Sequence, residues 1–221
     1  MVPGRRTRLN LTDRSTRILG MDTRTDTRQR LIDSARDLIY ARSYSDVGVQ
    51  EICDRAGVRK GSFYLFFPSK RDLTLAILDE SWKRYRETML AQVFARDIPP
   101  LKRIERLLDS QYRHHKAVKD ATGQVMGCPY GNLAGEMSTQ DEGIRERLKR
   151  KFRDLEAPIE EVLNEAMAAG DLSELDSRAT AGAMVAYLEG LTLMAKTWND
   201  PEIVRALGPA LLKLAVPVTR N

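Results

Sequence analysis

Ile144, Leu148, Phe152, Leu155, Ile159, Leu163 and Ala166 recur at three- and four-residue steps across one segment. That is roughly seven turns with one apolar face, so the segment can only be a long amphipathic helix seeking partners. The same period runs through most of the chain. Leu31, Ile32, Ala35, Leu38 and Ile39 predict a first helix over about 28–42, and Val49, Ile52 and Cys53 a short second one over 49–55. A third, over 59–66, stops before Pro68, and Ser69 caps a longer fourth. Leu101, Ile104, Leu107, Leu108 and Tyr112 mark a fifth, and a short sixth lies near 129–138. The seventh is the segment above, and "RATAGAMVAYLEGLTLMAKTW" and "PEIVRALGPALLKLAV" predict an eighth and a ninth. No stretch alternates with period two, so the expected class is all-α, with about nine helices.

The 221 residues are 42% hydrophobic and 30% charged, enough apolar material for a real core. No apolar run is long enough for a membrane span and the start does not read as a secretory signal, so the expected location is the cytoplasm. Two cysteines, Cys53 and Cys128, are too few for a disulfide framework. The net charge of +5 is modest, but its placement is uneven. Arg5, Arg6, Arg8, Arg14, Arg17, Arg24, Arg28 and Arg30 crowd the start, and a second basic group lies at 55–71. Residues 1–25 read as a disordered basic arm, either a solvated tail or one that contacts DNA. Met21 is an alternative start.

"AGVRKGSFYLFFPSK", residues 56–70, joins three phenylalanines to three cations. Gly57 can take a positive φ between the second and third helices, so the pair reads as a helix-turn-helix. Phe63 and Phe67, four apart, pin the third helix inward. A two-turn helix needs such anchors because it has little stability alone. The remaining surface offers Arg59, Lys60, Ser62, Tyr64 and Phe66 to the DNA, with Phe66 expected to touch a sugar or a thymine methyl. Lys70, beside the free N–H groups that open the fourth helix, is expected to bind a phosphate.

"VQEICDRAGVRKGSFYLFFPSKRDL" resembles the DNA-binding domain of the tetracycline-repressor (TetR) family, whose usual pattern runs close to T-V-x-x-I-A-x-x-A-G-V-S-x-G-S-F-Y-x-Y-F-P-S-K-x-x-L. The resemblance covers roughly residues 28–75. It implies a homodimeric repressor with a DNA-binding domain over 26–72 and a helical ligand-binding and dimerisation domain over 73–221. By position, DNA contacts fall on Gln50, Arg59, Lys60, Ser62, Tyr64, Phe66 and Lys70. Gly48 stands where the family usually has a Thr or Ser cap, and Arg59 where Ser or Thr is common.

One helix-turn-helix reads only a few base pairs, so two are needed on a pseudo-palindromic double-stranded operator. Ala183, Ala186 and Gly190 allow close approach, and Ile203, Leu207, Leu211 and Leu214 supply apolar area. The eighth and ninth helices are therefore the expected homodimer interface. Trp82, Tyr85, Met89, Tyr112, Met126, Cys128, Tyr130, Phe152 and Tyr187 recur through the second domain. Most belong in a core, and some of them line a cavity for a small apolar or electrophilic effector.

"GCPYGNLAGEM" resembles a segment of one family branch, G-C-x-x-G-N-L-A-x-E. Cys128 at a helix N-terminus would have a lowered pKa, making it an electrophile or redox switch, or else it simply packs beside Pro129. His114–His115 reads as solvated helix surface, without companions at metal-ligand spacing. No metal or cofactor is expected. A constitutive repressor without ligand and an α-helical enzyme using Cys128 are the alternatives, the second leaving the helix-turn-helix unexplained.

Overall fold

A computed structural model of the chain describes the backbone over residues 12–215 and the side chains over 25–215. Among the described residues all regular structure is helical. In chain order the helices are α1 (Thr12–Ala41), α2 (Val49–Ala56), α3 (Lys60–Phe66) and α4 (Lys70–Tyr85). They are followed by α5 (Pro100–Thr122), α6 (Pro129–Met137), α7 (Glu142–Ala168), α8 (Ser177–Trp198), α9 (Glu202–Leu207) and α10 (Ala210–Lys213). A π-turn over Arg86–Leu90 extends α4 without a break as far as Val93.

Two expectations are corrected by the backbone alone. The basic arm was expected to be disordered to residue 25, yet α1 is helical from Thr12; residues 1–11 lie outside the described residues. Once Leu31, Ile32 and Ala35 are buried and hold the helix, each added residue upstream costs little, because propagation is far cheaper than nucleation. The single ninth helix is in fact two short ones, broken at Gly208 and Pro209. Proline cannot continue the hydrogen-bond ladder. A Cβ on Gly208 would run into the Val204 carbonyl and press on Leu108, so the break is packed against α5.

The first core gathers Leu31, Ile32, Val47, Ile52, Cys53, Phe63, Phe67, Leu73 and Ile77 from α1 to α4. Cys53 is fully buried in it, as its place on the inner face of α2 predicts. The largest core of the second half joins α5, α7 and α8 through Ile104, Leu107, Ile159, Leu163, Met184 and Leu188. Between them lies a third cluster of Leu78, Leu133, Met137, Ile144 and Leu148. Helix α4 thus puts Leu73 and Ile77 into the first core and Leu78 into the third. A boundary at residue 72 falls inside one continuous rod.

Candidate DNA interface and effector cavity

Helix α2 begins at Gly48, whose extended backbone caps it with no side-chain bond, and ends at Gly57 with φ of 65°. That left-handed turn is cheap only for glycine and sends the chain into α3. Phe63 is fully buried and Phe67 nearly so, their rings 6.1 Å apart. The outer face of α3 is left to Lys60 and Tyr64, which is 52% exposed, with Arg59 extended at its start. Ser62 is half-buried beside them. Gln50 on α2 is exposed and donates to Asp54 Oδ1 at 2.8 Å. Elsewhere in this domain Arg28, Arg36, Arg42 and Arg55 are ion-paired with Glu80, Asp33, Glu51 and Asp37. Arg59 and Lys60 make no such pair among the described residues, so their charge faces outward uncommitted.

Two of the expected DNA contacts point elsewhere. Phe66 is half-buried and packs against the first core instead of projecting outward. On so short a helix the exit toward Pro68 turns residue 66 toward α1 and α4. The outward apolar residue is its neighbour Leu65, 75% exposed, which the sequence reading missed. An exposed leucine in the middle of an amphipathic helix was the available signal. Lys70 is also turned inward. Its ammonium donates to the carbonyls of Tyr44 (2.8 Å) and Val47 (3.0 Å) and lies 4.0 Å from the Tyr44 ring centroid. Burial holds its pKa below the usual lysine range. It fastens the α1–α2 turn to α4, because unpaired carbonyls near a core need a donor.

A cavity of about 1040 Å³ lies where the two halves meet, walled by α1, α4, α5, α6, α7 and α8. Ile39, Leu78, Leu133 and Phe152 give it apolar wall; Tyr40, Tyr44, Tyr130, His114, Glu189 and Lys196 bring polar groups. Cys128 lies in this wall as the N-cap of α6, its Sγ accepting from Gly131 N–H at 3.4 Å. The helix end does not make it a thiolate. Burial, and then the charge of the nearby Glu189 carboxylate, push its pKa well above the usual thiol range. Desolvation of a charge outweighs a helix dipole here.

Of the expected cavity residues, Cys128, Tyr130 and Phe152 line it. The others are placed elsewhere. Trp82 is buried, donates to Asp154 at 2.9 Å and stacks on Tyr85 at 5.5 Å. Met89 and Tyr187 pack on the largest core, and the Tyr187 hydroxyl donates to Leu207 O. Tyr112 is buried, with its hydroxyl on Glu202 at 2.6 Å. Met126 is half-buried, and its carbonyl accepts from Asn132. Helical spacing marks an apolar face but not whether a neighbour or a void lies opposite. His115 is corrected too: it is 1% exposed, with neither ring nitrogen bonded, while His114 is exposed at the cavity wall. No group of three metal-binding side chains occurs among the described residues.

Both halves of this arrangement have counterparts. Residues 31–77 match the model of the bacterial regulatory proteins, tetR family, and residues 100–210 that of the tetracyclin repressor-like C-terminal domain. This chain belongs to the TetR family. An uncharacterised helix-turn-helix regulator of Lactococcus lactis is 30% identical over 82% of this chain and 89% of its own. The transcriptional repressor DhaR of a Mycobacterium is 26% identical over 90% and 96%. The crystal structure of a regulatory protein TetR from Rhodobacter sphaeroides superposes with a TM-score of 0.74 at 30% identity, covering 85% of this chain and 98% of that one. The chain is therefore a TetR-family helix-turn-helix transcriptional regulator, and no helix among its described residues is long and apolar enough to cross a membrane.

The expected dimerisation residues divide between a free face of α8 and the helices that follow it. Ala183, Ala186 and Gly190 are exposed in one stripe that continues through Leu193, 62% exposed, to Trp198. Leu207 and Leu214 are exposed as well. Leu211, by contrast, is fully buried in the chain's own core, and Ile203 is half-buried against Tyr112 and Val204. The break at Gly208 and Pro209 takes Leu211 out of the register of a single helix, while Ile203, upstream of it on α9, packs on the cluster that Tyr112 of α5 shares.

Proposed function

We propose that the chain is a cytoplasmic homodimeric repressor that binds a pseudo-palindromic operator and is released by an effector in the α6 cavity. One observation carries the reading: a basic, unpaired face on α3 is held rigid by buried Phe63 and Phe67, in the same chain as a cavity large enough for a small molecule. Gln50, Arg59, Lys60, Ser62, Tyr64 and Leu65 are the DNA contacts in this reading. The cations supply salt-dependent affinity, and Leu65 a thymine methyl contact. The dimer forms through Ala183, Ala186, Gly190, Leu193, Leu207 and Leu214. The empty volume favours a sensor over a constitutive repressor, whose second domain would be filled. The chain is not an enzyme in this reading.

The effector is small and largely apolar, and includes electrophiles that modify Cys128, in keeping with the "GCPYGNLAGEM" branch segment. Coupling has a physical route. Helix α6 opens at Cys128 and ends beside Glu136, whose carboxylate accepts from the backbone N–H of Tyr44 (2.8 Å) and Ser45 (2.7 Å) in the α1–α2 turn. Arg71 on α4 is also bonded to Asp141, just beyond α6, at 2.6 Å. The test is operator binding by fluorescence anisotropy on duplexes from the neighbouring promoter. A pseudo-palindromic duplex should bind with a steep salt dependence, and methyl vinyl ketone should weaken it. Equal affinity for a scrambled duplex would reject the DNA reading. Modification of Cys128 with operator affinity unchanged would reject the coupling.

A further inference from the structure

Glu189 is the one carboxylate on α8 that reaches the thiol of Cys128, and the glycines of "GCPYG" are shaped around this meeting. A Cβ on Gly131 would run into Oε2 of Glu189, and a Cβ on Gly127 would press on Lys196 while φ there is 73°. Gly131 N–H donates to Sγ at 3.4 Å, and the Cβ position on Gly131 that meets Oε2 of Glu189 is also 3.5 Å from Cys128 Cβ, so the carboxylate sits beside the cysteine. The cavity lies alongside, with Cys128 and Glu189 both in its wall. Tyr40 on α1 and Tyr130 on α6 line the same cavity, and burial raises the pKa of both phenols. They stay neutral at physiological pH and cannot take a proton.

From this geometry we infer that Glu189 is the proton acceptor for Cys128 when the thiol adds to an α,β-unsaturated carbonyl effector. This rests on the reading of Cys128 as the electrophile site and adds the group that makes it reactive. Sγ forms a bond to the β-carbon while the π pair of the alkene moves to the carbonyl oxygen as an enolate. The thiol proton passes to the Glu189 carboxylate, which returns it to the α-carbon. Hydrogen and sulfur have then added across the double bond, Glu189 is again a carboxylate, and no oxidant is used. A base is required because burial keeps the free thiolate scarce near neutral pH. Burial also raises the Glu189 pKa and so makes it a stronger base than an exposed glutamate. The adduct replaces the small thiol with a bulkier thioether beside Glu189, on the helix that carries the exposed Ala186–Gly190 stripe.

The experiment follows adduct formation with methyl vinyl ketone by intact mass, as a second-order rate against pH. C128A assigns the modified sulfur against buried Cys53. In the wild type the rate should rise through the Glu189 ionisation, above the ordinary glutamate range, and then stay level through neutrality. Glu189→Gln should lower the rate at pH 7 by about 100-fold, within the usual reach of a general base. Its profile should instead climb with thiol ionisation. Gly131→Ala, whose Cβ displaces the carboxylate, should do the same. His114 on α5, Glu136 on α6, Lys196 on α8, Arg36 on α1 and Arg42 just beyond it line the same cavity and are unchanged in both variants, and Glu136 titrates below the ordinary glutamate range instead of above it. Melting temperature and effector-free operator affinity check the fold. Equal wild-type and Glu189→Gln rates and profiles overturn the role of Glu189 alone. A wild-type rate still rising tenfold per pH unit at pH 7 to 9 does so too, with or without a folded variant. No adduct on wild-type Cys128 overturns the electrophile reading and this inference together.

Discussion

Leu65 and Phe66 are adjacent apolar residues with opposite fates. Leu65 is exposed to solvent, and Phe66 packs on the first core. Phe66→Ala should therefore cost about 2 kcal/mol of stability, less than a fully buried phenylalanine, and change operator affinity little once folded. Leu65→Ala should leave the melting temperature unchanged and weaken operator binding about tenfold, the scale of one lost base contact. Thermal melts and anisotropy titrations on both variants separate the two roles. His115 makes a different point at the same scale. Burial, and then His114 beside it, lower its pKa to about 4, and both of its nitrogens lack partners. Its unfolded counterpart titrates near 6.5, so the unfolded state binds more protons between those values. Stability supplied by the neutral ring is present above pH 6.5 and drains away as pH falls toward 4. His115→Leu should flatten that stretch of the stability–pH curve and raise stability at pH 7 by about 1 kcal/mol, since no buried donor or acceptor is left unpaired. Urea titrations at several pH values measure both effects.

Helix α6 is short, yet it touches both ends of the proposed mechanism. Cys128 caps it, and Glu136 in its last turn accepts two backbone N–H bonds from the α1–α2 turn. Burial opposes ionisation of Glu136, but those bonds and Lys70 hold its pKa below the usual glutamate range. The grip therefore exists above the ordinary glutamate pKa and is lost as pH falls through the lowered value. Glutamine offers one acceptor oxygen where two are used. Glu136 also lines the cavity, so the two effects are read separately: Glu136→Gln should shrink the effector-induced drop in operator affinity by about tenfold, a loss of roughly 1.4 kcal/mol of coupling, measured with effector at saturation. Paired calorimetric and anisotropy titrations report the two quantities. An undiminished drop would assign the coupling to α4 and its Arg71–Asp141 contact alone. Helix α4 is the other through-going element, because one uninterrupted rod supplies Leu73 and Ile77 to the first core and Leu78 to the next.

At the scale of the whole molecule the proposed operator reading needs two α3 helices held at a spacing that matches successive major grooves, which a dimer would supply. The α8 stripe of Ala183, Ala186, Gly190 and Leu193 is small, apolar and unused by the chain's own core. Ala186→Glu should give a monomer in light scattering with an unchanged melting temperature. Operator affinity should fall by more than about 100-fold, because one half-site alone carries only part of the binding energy. A dimer that survives Ala186→Glu would move the interface elsewhere.

The all-α class, most helix positions and the helix-turn-helix were legible from the residues because each is a local property. Period, capping residues and turn glycines act within a few positions of one another. Gly57 had to be a turn, and Phe63 with Phe67 had to be an anchor. The inward turn of Lys70 and Phe66 was not legible, and neither was the burial of His115 and Leu211. Each depends on what another helix places opposite, and periodicity has no information about that. The same holds for Cys128. Its position at a helix start suggested a reactive thiolate, but the fold set it half-buried in a cavity wall beside Glu189, sixty-one positions along the chain. Sequence alone determined that this chain forms helices and presents a DNA-reading pair. Tertiary packing decided which side chains face solvent, where the cavity opens and which carboxylate meets the thiol, because burial and charge act through space.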